Sequence, residues 1–118
     1  MDYKSGPHEK SSGLQGYVEA SYTQLLQILG PHEAESDGYK VSTEWQLVGD
    51  DGSEVSVYDY KETNLYGRAL PTVERFRSRP RYDWHVGASS MAAANRFIGW
   101  LENKLMEQAA GCELTHHA

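Results

Sequence analysis

The sequence predicts an α+β domain of order β-α-β-β-β-α, folded as one mainly antiparallel four-stranded sheet with two helices on one face. Three observations carry this. Apolar residues alternate from Lys40 to Val48 and return after a Gly49-Asp50-Asp51-Gly52 turn. A capped, helical-period segment begins at Ser21 and stops at Gly30-Pro31. A longer amphipathic segment follows Ser89-Ser90.

Gly16 to Ala20 reads as a short first strand. Ser21 caps the first helix, Gln24 completes a capping box, and Tyr22, Leu25, Leu26 and Leu29 share one face. In the second strand Val41, Thr43, Trp45 and Leu47 point one way and Lys40, Ser42, Glu44 and Gln46 the other. The return strand, Glu54 to Lys61, sets Val55 and Val57 against Ser56, Tyr58 and Tyr60. The last strand, Tyr82 to Val86, turns Tyr82, Trp84 and Val86 inward and Asp83 and His85 outward. Met91, Ala94, Ile98, Leu101 and Leu105, widened by Phe97, mark the buried stripe of a helix that should stop near Ala110, with Gly111 beyond its end. The expected organisation is a flexible lead-in over residues 1–13, one domain over 14–110 and a tail over 111–118. Within the domain, residues 64–81 form an arginine-rich connection with Pro71 and Pro80.

A chain of 118 residues suffices for one core without disulfides or a metal as staples. The longest apolar runs are too short to cross a bilayer, and the polar stretch from Met1 to Gly13 lacks the apolar centre of a secretory leader. With Cys112 as its single cysteine, the chain is expected to be cytoplasmic. The net charge of −6 disfavours binding to nucleic-acid backbones. That charge is uneven. Acids dominate from Glu33 to Glu62, whereas Arg68, Arg75, Arg77, Arg79 and Arg81 face only Glu74 between Arg68 and Arg81.

With helices over one face, strand parity puts Lys40, Glu44, Tyr58, Tyr60, Asp83 and His85 on the other. Aromatic faces there stack on flat ligands or pack on a partner, and the polar groups orient what is bound. An ordinary wet sheet face has a similar composition. Arg75, Arg77, Arg79 and Arg81 alternate, so an extended arm would align four guanidiniums for phosphates or carboxylates. Alternatively, that arm neutralises the acidic hairpin. His85, beside Asp83 or Asp59, has the chemistry of a general base. No metal-ligand spacing joins the histidines, no Cys-x-x-Cys or phosphate loop is present, and no nucleophile elbow is found. No metal or cofactor is therefore expected.

The motifs Asp37-Gly38-Tyr39-Lys40, Glu44-Trp45, Asp51-Gly52, Tyr58-Asp59-Tyr60-Lys61, Tyr66-Gly67 and Asp83-Trp84-His85-Val86-Gly87 occur in that order. This series resembles a group of small bacteriophage-encoded proteins over roughly Gly16 to Gly87. In that group the stretch before the Trp-His pair is shorter and acidic, whereas here it is longer and arginine-rich. The resemblance implies a phage accessory protein that disarms host defence, in the host cytoplasm.

Three mechanisms are carried forward. The leading expectation is stoichiometric inhibition of a host protein, with Asp50, Asp51 and Glu54 of the acidic hairpin meeting a basic surface. The second is sequestration of a nucleotide signal by Tyr58, Tyr60 and His85 with arginines between Arg75 and Arg81, within one chain or across a homo-oligomer interface. The third is a small phosphodiesterase using His85.

Overall fold

The computed structural model describes residues 2–8, 13–32 and 41–117. It shows an α+β fold with a five-stranded antiparallel sheet and three helices, one strand and one helix more than the sequence suggested. The elements are β1 (Tyr3–Ser5), β2 (Gly13–Ala20), α1 (Tyr22–Leu29), β3 (Glu44–Gly49), β4 (Glu54–Tyr58), α2 (Val73–Arg77), β5 (Tyr82–Ala88) and α3 (Met91–His117). Strand order across the sheet is β1-β3-β4-β5-β2.

Local chemistry forms α1 as expected. Ser21 Oγ accepts from the Gln24 N–H while Gln24 Oε1 accepts from the Ser21 N–H, and Gly30 ends the helix at φ 80°. Leu25 and Leu29 then sink into the core. On the sheet, Trp45, Leu47, Val55, Val57, Trp84 and Val86 are all buried beneath the helices. The two indoles meet edge to face at 5.6 Å, and each satisfies its N–H locally. Trp45 donates to the Gly30 carbonyl at 2.7 Å and Trp84 to the Ala20 carbonyl at 3.0 Å, so the core rings also seal the ends of α1 and β2.

Three expectations need correction. Tyr3–Ser5 lies within the expected flexible lead-in, yet it forms an edge strand paired with β3 from Tyr3↔Gly49 to Ser5↔Leu47. What holds it is one aromatic anchor: the Tyr3 ring sits 5.0 Å from both Phe97 and Trp100. A side chain at Gly49 would collide with that ring at 2.9 Å. Second, the 64–81 connection contains α2, capped by Thr72, with Phe76 buried against Trp84. Third, α3 passes Ala110 and Gly111 and runs to His117. A glycine inside a helix costs only about 1 kcal/mol and does not force a stop. The buried stripe of α3 is Ala94, Phe97 and Leu101, whereas Met91 is exposed.

The strands β3 and β4 are shorter than expected because their open ends are tied by a buried polar junction. Asp59 is fully buried. Its Oδ1 accepts from the Ser42 and Thr43 N–H groups at 2.8 and 2.7 Å, and its Oδ2 accepts from the Ser42 hydroxyl at 2.6 Å. Arg77 reaches the same spot, donating to Thr43 Oγ1 at 2.9 Å while its guanidinium lies 4.8 Å from the centre of the Tyr22 ring.

Asp59→Ala orphans two backbone donors and is expected to destabilise the fold by about 3 kcal/mol, read as a lowered urea midpoint. Tyr3→Ala is expected to cost about 2 kcal/mol, since it empties the seat against Phe97 and Trp100. A melting temperature unchanged by Tyr3→Ala would mean that β1 is not held by that ring.

Candidate functional site

Register builds the site. β5 lies between β4 and β2, and the pairings Glu44↔Tyr58, Tyr58↔His85 and Tyr17↔His85 set four residues in a row across the open face. Neighbouring strands lie about 4.8 Å apart, so side chains in such a row touch. The Tyr58 and His85 rings are stacked at 5.3 Å and 29°, and Tyr17 meets His85 at 5.1 Å. Tyr60 lies 5.8 Å from the same imidazole. Lys61, at φ 58°, turns the chain just after Tyr60 and holds its ammonium 5.1 Å from the Tyr60 ring.

A second row lies beside the first: Gln46↔Ser56, Ser56↔Gly87 and Gly87↔Leu14. Leu14 and Tyr17 are three residues apart, which in a regular strand would send them to opposite faces. The register shift between Leu14 and Gly16 restores both to the open face. Gly87 is required here, because a Cβ would approach Ser56 Oγ to 2.6 Å and the Tyr58 ring to 3.4 Å.

Two depressions flank the Tyr17–His85 ridge. One, of about 520 Å³, is lined by Leu14, Tyr17, Tyr58, Tyr60 and His85. The other, of about 400 Å³, adds Glu19, Glu62, Arg79, Arg81, Tyr82 and Asp83 to the shared ridge. Its arginines are already engaged: Arg81 donates to Glu19 at 3.3 Å, and Arg79 lies 3.8 Å from Glu62. Tyr82 wedges between Phe76 and Trp84, and its hydroxyl comes 3.4 Å from His85 Nδ1.

Burial between these rings lowers the His85 pKa from its ordinary 6.5, and the nearby Glu62 and Asp59 carboxylates offset this in part. Burial raises the Tyr58 pKa, and Glu44 adds to the rise. Burial, and then Glu62, raise that of Tyr82 further still. Tyr58, Tyr82 and His85 are therefore uncharged at neutral pH, and the charges beside them are Glu44, Lys61 and the arginine–carboxylate rim.

The expected site residues separate. Glu44, Tyr58, Tyr60, Asp83, His85, Arg79 and Arg81 share one face or its rim. Lys40 lies outside the described residues, as do Glu33, Glu35 and Asp37 of the acidic run. Arg77 is corrected to an internal role at Thr43, and Arg75 stands exposed on α2, because a helical turn breaks the alternation that an extended arm would have had. Asp50, Asp51 and Glu54 lie at the other end of the β3–β4 hairpin from Tyr58. There Asp50 accepts from the Asp2 N–H, while Asp51 binds Ser53 and pairs with Arg96 at 3.5 Å. Asp59, considered as a partner for His85, is committed to Ser42 and Thr43.

Sequence reasoning missed Leu14, Tyr17, Glu19 and Glu62. Tyr17 and Glu19 were readable, since they alternate with Val18 and Ala20 in the first strand. Tyr82 was read as inward, and it is half-buried with its hydroxyl at the site. Among the described residues no group of three or more His, Cys, Asp or Glu is placed to hold a metal ion. Nor is any helix among them long and apolar enough to cross a membrane.

The depressed His85 pKa has a consequence for stability. Unfolding returns the imidazole to its ordinary pKa, so between the two values the unfolded chain binds more protons. Stability is therefore expected to fall as pH drops below 6.5, and His85→Gln should flatten that part of the profile. An NMR titration of the His85 ring with a midpoint above 6.5 would contradict this. No protein-family model matches this chain, and no curated protein matches it either.

Proposed function

We propose that the protein binds a small planar anion of the nucleotide class on the open sheet face, and that it acts by sequestering such a ligand. The observation that supports this reading is the exposed aromatic row. Tyr17, 54% exposed, and Tyr60, 38% exposed, flank His85 and Tyr58, and strand register aligns Tyr17, His85 and Tyr58 in one row. A base laid on these rings gains stacking worth about 1–3 kcal/mol. Across the Tyr17–His85 ridge, Arg79 and Arg81 line the second depression, and guanidiniums there suit a ligand's anionic end. Both arginines are now in exposed ion pairs, each worth about 0–1 kcal/mol, so a phosphate can exchange for Glu62 and Glu19.

Inhibition of a host protein through the acidic hairpin draws less support, because Asp50 and Asp51 are occupied by Asp2, Ser53 and Arg96. Taken with the resemblance to phage proteins, removal of a host nucleotide signal is the role that fits the aromatic site. The same ligand could instead be cleaved, with His85 as acid–base catalyst, and that difference is measurable as turnover.

Protein purified from cells producing such a signal should show a nucleotide-sized adduct in native mass spectrometry, released unchanged on denaturation. Tyr58→Ala and Arg81→Ala should each weaken ligand binding by about tenfold or more in calorimetric titration. Unaltered affinity in both variants would remove this site from consideration, and release of a cleaved product would transfer the role to catalysis.

A further inference from the structure

We propose that the arginine–carboxylate rim selects ligands carrying one or two negative charges and rejects polyphosphates; this rests on the nucleotide reading above. The two guanidiniums of Arg79 and Arg81 share their depression with the carboxylates of Glu19, Glu62 and Asp83. A bound phosphate can displace Glu19 from Arg81 and Glu62 from Arg79, but it cannot expel them. Glu19 and Asp83 are cross-strand partners fixed by the β2–β5 register, and Glu62 lines the same depression. Once displaced, these carboxylates remain beside the ligand and face its remaining charge.

Two guanidiniums can match two anionic oxygens. Every further negative charge in that depression meets the carboxylates of Glu19, Glu62 and Asp83, since the Lys61 ammonium lies instead over the Tyr60 and Tyr66 rings. His85 supplies none at neutral pH, because burial keeps its imidazole uncharged. The net charge of −6 works in the same direction at longer range. Specificity here is repulsive: the glutamates weaken each arginine toward any anion and penalise highly charged ones most. A site built to hold a triphosphate would have left these guanidiniums uncompensated. The aromatic depression beyond the ridge tolerates any base with a π face, so discrimination rests with the rim.

The test is calorimetric titration of the intact chain with the nucleoside monophosphates of the four common bases and the matching triphosphates, in low-salt, magnesium-free buffer. At least one monophosphate should bind tighter than its triphosphate by roughly tenfold or more, and that gap should shrink as salt is raised. In the double variant Glu19→Gln, Glu62→Gln the gap should close to about threefold or less, with monophosphate binding retained. Both positions are solvent-exposed, so the fold should survive, and circular dichroism checks that it does. A triphosphate that binds as tightly as its monophosphate overturns the selectivity alone. A gap unchanged in the double variant overturns charge as its cause. If none of the probes binds, the nucleotide reading falls, and the selectivity with it.

Discussion

The pairing of β5 with β4 on one side and β2 on the other is the constraint on which the rest depends. A strand alternates its faces, so one register decides both sides of the sheet at once. Beneath, it sets Trp84 and Val86 against Val18, Val57 and the helices. Above, it aligns Tyr17, His85 and Tyr58. A slip of one residue would bury the imidazole and expose the indole, which the core would not survive. The site is therefore as well specified as the core, although its residues are polar and half-exposed.

Two local irregularities refine that alignment. The bulge between Leu14 and Gly16 lets a strand with odd spacing deliver two apolar residues to the same face. Gly87, paired with Ser56 in the adjoining row, leaves the Tyr58 ring room to lie flat against His85. Both features cost strand regularity and shape the open face, and the bulge also brings Gly16 close against Ile98 of α3.

Charge on this protein is partitioned between structure and surface in a way composition does not reveal. Arg77 belongs to the same run as Arg79 and Arg81, yet it points inward to Thr43 and covers Tyr22. The single turn of α2 makes the difference: helical period rotates Arg77 toward the junction, and the chain leaving the helix carries Arg79 and Arg81 to the rim. Likewise Asp59, three residues before Glu62 of the rim, is withdrawn into the fold to hold two backbone amides.

Much of the fold was legible because its signals are local. The capping box of α1, the alternation in β3 and β4, and the buried Trp45 and Trp84 follow from residue type and period alone. β1 was not legible, since three residues with one aromatic carry no period and gain their place from pairing with β3 and from Phe97 and Trp100, more than ninety positions away. α2 was hidden by its flanking prolines and its brevity, and is stabilised mainly by burying Phe76. For the site, strand parity already named Tyr58, Tyr60, His85 and Glu44 as companions on one face. That Tyr17 completes their row, that Arg79 and Arg81 reach its rim, and that glutamates hold them there are long-range facts. The sequence by itself determined which side chains would face outward, because alternation is a property of the single strand. Only the tertiary structure decided which of them would touch, because strand order and register are settled by the burial of the opposite face.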